Sequence, residues 1–435
     1  MNRRHVLVLV GLGLAAALLW AATTDDVRIW PVRNTLQYHV LKWWWARVGP
    51  PQNGPPGTLR GRLMDPRGGP IAGAQVLVAR WDGTTYSAVS GPDGAFTIGG
   101  VPAGRYVPVA GAPGHADGAL GHSRPPWWPA WPWAPWSRVA VPARRDGRGE
   151  ARVDAVLPVE PRPALAPGTR LALGAPSEVT CASPISSRAM RRQVAFDSGG
   201  RPNQLTLLYT PLAAAGGDRL PTLLAVYPGP ADGWECASLP LAAAGYAVVA
   251  AGPAYGFDLE QDVDELARLL GFVRARQLPG ADGRQVALLA GSYSGLHVQR
   301  LLQRDPGVGA ALLLGPPADL FDMRRRLEQG TFIPPFGLDR ALIALGFPDR
   351  EPLRYWRYSG AYHVRPDLPP VALIHSRRDE VVPFQQSQAL AAALAAQGVP
   401  HELHLLEGAS HYLLSEQADA VAIYRLTLDF LARHL

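Results

Sequence analysis

The sequence predicts an α/β protein, with a doubly wound, mostly parallel sheet in its C-terminal half. A smaller immunoglobulin-like β-sandwich precedes that sheet, and a hydrophobic anchor opens the chain. Three observations carry this reading. From about residue 190 onward, continuous apolar strands alternate with helical segments, as strands do when crossover helices bury both faces of a sheet. Over 58–158 the pattern is instead one of short alternating segments bounded by turn residues, which suits a sandwich. At the N-terminus, Arg3 and Arg4 precede an uninterrupted apolar run from Val6 to Ala22.

That run defines the first segment, residues 1–24. Basic residues before it and Asp25 and Asp26 after it favour a cytoplasmic N-terminus and an exported remainder. Its length also suits the core of a signal peptide, which would give a secreted protein. Trp20 and Leu19 make poor cleavage-site residues, so an uncleaved anchor on the extracytoplasmic face, periplasmic or cell-surface, is the favoured reading. The 435 residues, 47% of them hydrophobic and 18% charged, are enough for several domains and at least one large core. The formal charge is +6, but Lys42 is the only lysine and the arginines are scattered, with short clusters at 144–148 and 324–326. No basic stripe for a nucleic acid results. Cys181 and Cys236 fit either a disulfide or two buried thiols. No His/Cys cluster suggests a metal, and no cofactor is expected.

Residues 25–57 read as a connector. In it, Trp43, Trp44 and Trp45 beside Lys42 and Arg47 suit either a membrane interface or packing on the next domain. The sandwich strands follow as "TLRGRLM", "AQVLVARW", "TYSAVS", "AFTIGGV", "RYVPVAG", "RVAVPA" and "ARVDAVLP", with turns at "PDG" and "PAG". The stretch "GPIAGAQVLV … GPDGAFTIGGVPAGRYVPVAG" resembles the carboxypeptidase regulatory-like domain of exported bacterial proteins. That resemblance implies a non-catalytic spacer or binding module over 58–158. Within it, five tryptophans among prolines in 124–138 suit an extended, polyproline-like loop. Sugar stacking, membrane contact, a lid over the neighbouring site and plain packing all remain open for it.

A Pro-rich linker and lead-in spans 159–189, and the α/β domain 190–435 follows. Functional groups in such sheets collect at the C-terminal ends of strands. The strand "QVALLAG" stops at Gly291 and a helix begins by Tyr293, which puts Ser292 on a strand-to-helix turn. A nucleophile at such a turn needs small residues two before and two after it, because the two backbones approach closely. Ala290 and Ser294 satisfy that for Ser292, whereas the same frame around Ser294 meets Leu296; Ser294 is expected to cap the helix. Asp379 follows the strand "PVALIHS", and His411 lies in a loop after the strand at 401–407. Three correct residue types at three successive strand ends, in the order Ser292, Asp379, His411, is the arrangement of the α/β-hydrolases. Asp319 is a weaker alternative for the acid. Asp258, Glu260 and Asp262 open a helix, where acids offset the dipole. His401 and His404 face opposite sides of a strand and cannot share an ion. The insertion 318–366 is placed to form a cap.

"AVYPGPADGW", "AGSYSG" and "HSRRDEVVPFQQSQAL … GASHY" resemble the catalytic domain of the prolyl oligopeptidase and dipeptidyl peptidase clan. The resemblance implies that Ser292, Asp379 and His411 are nucleophile, acid and base, and that the Tyr227 hydroxyl helps to bind the oxyanion. Ala290 and Ser294 depart from the family's glycines, and no β-propeller precedes the domain. The Tyr293 amide, just after the nucleophile, is a further expected oxyanion donor. Pro228 and Pro230 have no N–H, which leaves the Gly229 and Ala231 amides beside the Tyr227 hydroxyl. The expected function is an extracytoplasmic serine hydrolase acting on small esters through an acyl-enzyme. The alternatives are a prolyl oligopeptidase-type peptidase acting on short peptides, and an envelope binding module with an inactive hydrolase domain.

Overall fold

The computed structural model describes residues 12–17, 20–21, 24, 26, 28–121, 139–142, 149–160, 170–198, 200, 202–213, 219–252, 258–335, 337–414 and 417–435. The chain divides into two compact units, one of residues 1–160 with 320–357 and one of residues 161–319 with 358–435. Most of the Val6–Ala22 run and all of the tryptophan loop 124–138 lie outside the described residues. Among the described residues, no helix is long and apolar enough to cross a membrane.

In the first unit all the expected strand segments form: β1 (Pro56–Met64), β2 (Gln75–Ala79), β3 (Thr85–Val89), β4 (Ala95–Pro102), β5 (Gly104–Tyr106), β6 (Val109–Gly111), β7 (Gly118–Ala119), β8 (Val139–Val141), β9 (Glu150–Arg152) and β10 (Ala155–Val156). The segment "RYVPVAG" divides into β5 and β6 at Pro108, which has no N–H to offer a ladder. One sheet has the order β10-β1-β4 with β9 beside β1, a second runs β3-β2-β6-β7, and β5 pairs with β8. Leu59, Leu63, Val76, Val78, Phe96 and Ile98 share the buried core of this sandwich.

Two expectations change in this unit. The Trp/Pro-rich connector 25–57 takes a regular form, because Trp30–Val48 is a helix. Its Trp45 ring lies 5.2 Å from Trp81 and 5.0 Å from Phe347, whereas Trp43 and Trp44 are exposed. Packing therefore accounts for one of the three tryptophans. The second change concerns the insertion expected to cap the hydrolase domain: residues 320–357 belong to the sandwich unit instead. Its helices are Leu320–Gln329, Leu338–Ala344 and Pro352–Arg357, and their buried polar groups find partners within that unit. Fully buried Arg324 donates to Glu328 and to the Leu342 carbonyl at 3.0 Å, while Lys42 reaches the same glutamate at 2.8 Å. Buried Trp356 donates its indole N–H to Asp117, next to β7, at 2.9 Å. A buried charge or indole without such partners would be costly.

The second unit is built on one ten-stranded sheet of β11 (Leu171–Leu173), β12 (Ser177–Cys181), β13 (Ser187–Phe196), β14 (Thr206–Thr210), β15 (Leu220–Val226), β16 (Ala247–Ala251), β17 (Ala281–Gly291), β18 (Ala310–Leu314), β19 (Val371–Ser376) and β20 (His401–Leu406). The order is β11-β13-β14-β16-β15-β17-β18-β19-β20, with β12 also on β13. Neighbours from β16 to β20 run parallel, and β11 to β14 form the antiparallel edge. The sheet starts at Leu171, so much of the expected lead-in 159–189 is already sheet. Helices cover both faces over two apolar cores, which is why strands such as β19 are buried throughout. Cys181 on β12 and Cys236 on the helix Glu235–Ala243 form a disulfide, with Cα atoms 5.4 Å apart. After β15 the chain crosses to β16 on one side and returns to β17 on the other. The C-terminal ends of β15 and β17 thus flank the crevice such a reversal leaves for a ligand.

Candidate active site

At the end of β17 the backbone turns sharply. Ser292 has φ +51°, a left-handed conformation that non-glycine residues adopt only where the surroundings impose it. Its amide donates to the Leu314 carbonyl of β18 at 2.7 Å, and the helix Ser294–Arg304 starts immediately afterwards. Ala290 and Ser294 are both fully buried, as the crossing of strand and helix requires. Ser294 does more than cap the helix. Its Oγ accepts from the Gly291 amide at 3.1 Å and lies within reach of the Gly291 and Val226 carbonyls, which ties the turn to β15. A Cβ on Gly295 would sit 2.8 Å from Pro316 Cβ, so the next residue also has to be small.

The structure brings the three expected side chains together. His411 Nε2 lies 2.7 Å from Ser292 Oγ, and His411 Nδ1 lies 2.8 Å from Asp379 Oδ2. Asp379 Oδ1 accepts the amides of Val381 at 2.8 Å and Val382 at 2.7 Å. Burial pushes the Asp379 carboxyl up, but hydrogen bonds from His375 and His411 outweigh it and hold the group at about 2. The carboxylate is therefore ionised beside the imidazole at any pH near neutral. The His411 amide donates to Glu380 Oε2 at 3.1 Å, which steadies the loop carrying the imidazole. Gly315 lies against the carboxylate, since a Cβ there would be 3.3 Å from Asp379 Oδ2. Sequence reasoning missed Glu380, Gly315 and His375, although His375 and Glu380 lie within a few residues of Asp379.

The expected oxyanion donors separate. Tyr227 is buried, its hydroxyl accepts from Ser238 Oγ at 2.9 Å, and its ring stacks on Trp234 at 5.4 Å. Burial raises this phenol to about 12. The hydroxyl thus lies buried beside the helix Glu235–Ala243. The Gly229 amide donates to the Tyr227 carbonyl at 2.9 Å and is also engaged. The other two expected donors stand where helical turns begin, Ala231 at Ala231–Trp234 and Tyr293 just before Ser294–Arg304. First-turn amides have no acceptor within their own helix.

The weaker candidates have other partners. Asp319 accepts from the Tyr362 hydroxyl at 3.1 Å rather than from His411. Asp258 caps the helix Leu259–Arg274, Glu260 accepts from Arg300 Nε at 3.1 Å, and Asp262 lies 3.3 Å from His297. His401 Nδ1 faces the Val399 carbonyl and His404 Nε2 faces Glu402. Among the described residues, no group of three or more His, Cys, Asp or Glu side chains is arranged to hold a metal ion.

A serine held in a left-handed turn, with a histidine and a buried aspartate lined up behind it at the C-terminal ends of parallel strands, marks the serine hydrolases of the α/β-hydrolase class. Residues 261–435 match the prolyl oligopeptidase family, which agrees with a serine hydrolase in the C-terminal part of the chain. Residues 58–123 match the carboxypeptidase regulatory-like domain, which accounts for the sandwich. Similar solved structures include Thermogutta terrifontis esterase 2 phosphonylated by sarin, at 18% identity and TM-score 0.43 over 52% of this chain and 90% of that one. The propionate-bound esterase of the same species has 20% identity and TM-score 0.42, over 53% and 89%. A truncated carbohydrate esterase from gut microbiota has 16% identity and TM-score 0.43, over 53% and 90%. No curated protein matches the chain.

Proposed function

We propose that this protein hydrolyses small acyl esters through a covalent intermediate on Ser292. The observation that carries the reading is the hydrogen-bonded line Ser292 Oγ–His411–Asp379 behind a left-handed nucleophile turn. His411 takes the Ser292 proton as Oγ attacks the acyl carbon, and Asp379 fixes the imidazole tautomer and stabilises the imidazolium. The tetrahedral oxyanion would accept from the Tyr293 and Ala231 amides. The imidazolium then protonates the leaving alcohol, and water repeats the sequence to release the acid.

Esters are favoured over amides because two of the expected oxyanion donors are poorly disposed. The Gly229 amide already donates to the Tyr227 carbonyl, and the Tyr227 hydroxyl is buried against Ser238. Each such donor is typically worth about 3–4 kcal/mol in the transition state. An ester carbonyl, more electrophilic than an amide, tolerates that loss better. A peptidase acting on short peptides is the second reading, supported by the family match over 261–435.

The proposed location is the extracytoplasmic face of a membrane. The Cys181–Cys236 disulfide supports an oxidising compartment. The Val6–Ala22 run supports an anchor, as does a stripe of exposed Val32, Leu36, Val40, Trp43, Trp44 and Val48 along the following helix. Contact of the 124–138 loop with glycan or lipid remains part of this proposal.

A fluorophosphonate probe tests the chemistry. Wild type should label and Ser292→Ala should not; labelling that survives the substitution would remove Ser292 from the mechanism. Parallel assays with p-nitrophenyl acyl esters and Xaa-Pro anilides then separate esterase from peptidase.

A further inference from the structure

A second histidine holds the same carboxylate oxygen as His411. His375 is the fifth residue of β19, fully buried, and its ring reaches three partners. Nδ1 lies 2.7 Å from Ser387 Oγ on the helix Gln385–Ala396. Nε2 lies 2.9 Å from the Val382 carbonyl and 3.1 Å from Asp379 Oδ2. A carbonyl and an ionised carboxylate only accept, so Nε2 must carry the hydrogen, and the Ser387 hydroxyl donates to Nδ1. In the neutral ring the single Nε2–H is shared between the Val382 carbonyl and Asp379 Oδ2, and Nδ1 accepts.

Asp379 is consequently surrounded. Oδ1 takes two backbone amides, and Oδ2 takes His411 Nδ1–H on one side and His375 Nε2–H on the other. We propose that His375 is a positioning residue for the reaction, acting through Asp379 by fixing the Oδ2 lone pair on His411 and by drawing charge away from it. This rests on the reading of Ser292, His411 and Asp379 as the reacting line. Two consequences follow. Without the His375 donor Oδ2 is held by His411 alone, so the carboxylate can tilt about its Cβ–Cγ bond against the amides on Oδ1, and turnover falls. The charge on Oδ2 also bears more strongly on His411, stabilises its protonated form and raises the pH at which it becomes a base.

Two substitutions of the full-length protein distinguish this role from mere packing. His375→Gln keeps an N–H where Nε2 stood, and His375→Asn keeps one only where Nδ1 stood, facing Ser387. Both are neutral and polar, and thermal melting reports whether they fold. With a p-nitrophenyl ester, kcat of His375→Asn should fall roughly 10- to 100-fold, short of the ~10⁴-fold that loss of the triad aspartate costs. Its KM should change little, and the acid limb of its kcat/KM profile should move up by about half a pH unit or more. His375→Gln should recover most of the rate and the wild-type limb. In an Asp379→Asn background, His375→Asn should add almost nothing, because the group it acts through is gone.

Wild-type kcat and pH profile in folded His375→Asn would overturn the proposal. So would equal losses in the Asn and Gln variants, or a full additive loss in the Asp379→Asn background. Failure of the underlying reading would look different: Ser292→Ala would then retain activity and fluorophosphonate labelling whatever His375 does.

Discussion

A tyrosine hydroxyl serves an oxyanion only if its ring leaves the strand toward the crevice, and that of Tyr227 does not. It follows β15 directly, and its ring enters the core with Tyr424 and Ala237, where Ser238 supplies its hydrogen bond. Tyr227→Phe should therefore leave ester kcat within about threefold of wild type and lower stability by about 1 kcal/mol, the worth of one neutral hydrogen bond. A tenfold loss of turnover with unchanged melting would return the hydroxyl to the oxyanion. The identities of Ser292, Asp379 and His411 were legible because residue type, order and strand-end position are all written locally. The direction of the Tyr227 ring was not, since it depends on how the Pro228–Gly229–Pro230 turn leaves the strand. Asp379 also carries a pH dependence. Its folded pKa, about 2, lies below the ordinary 3.8. A depressed carboxyl contributes stability above its unfolded pKa and loses it as pH falls through the folded value. About 2 kcal/mol should accordingly drain from the hydrolase unit between roughly pH 5 and pH 2. Acid titration of Asp379→Asn should lack that component.

Among the elements, the strand ends and their loops set the site, and backbone clearance decides how tightly they fit. Gly252 follows β16, and a Cβ on it would fall 1.6 Å from the Gly229 carbonyl oxygen and 3.1 Å from the Ala231 nitrogen. Gly252→Ala must therefore displace the 227–231 turn. Displacements near 1 Å cost about 10²-fold in well-aligned sites, so ester kcat should fall at least tenfold. Gly233→Ala meets nothing within 4 Å and serves as the control with near-wild-type rate. Equal rates in the two variants would show that this turn does not hold an oxyanion donor. Strands of the sheet and the sandwich were readable from their apolar periods. The helix Trp30–Val48 was not, because its pattern is inverted: Arg33 and Asn34 are buried, with Asn34 Nδ2 on the Ala344 carbonyl at 3.0 Å, while Val32, Leu36 and Val40 are exposed. A polar inner face satisfied by distant backbone cannot be recognised from the segment alone.

For the whole molecule, the consequential feature is that the chain leaves the hydrolase unit after Asp319 and returns at Tyr358. Sequence adjacency suggested a cap on the hydrolase sheet, whereas the partners of 320–357 come from residues 30–160. Glu328 and Trp356 illustrate the dependence, since the first is paired with Lys42 and the second, fully buried, donates to Asp117. Within the hydrolase unit, the two ends of the excursion lie close, with the Ala361 amide on the Ala318 carbonyl at 3.1 Å and Tyr362 on Asp319. A fragment 161–435 thus keeps its sheet but strips the 320–357 helices of their core, exposing apolar surface and removing the Lys42 and Asp117 partners of Glu328 and Trp356. It should bind a hydrophobic dye and aggregate. Replacing 320–357 by a short glycine–serine linker between Asp319 and Tyr358 should restore a soluble fragment with a single cooperative melt and fluorophosphonate labelling at Ser292. If the simple fragment melts cooperatively without binding dye, the 320–357 helices fold without the sandwich. If the linker version fails to label while folded, those helices contribute to the reaction rather than only to the other unit's core.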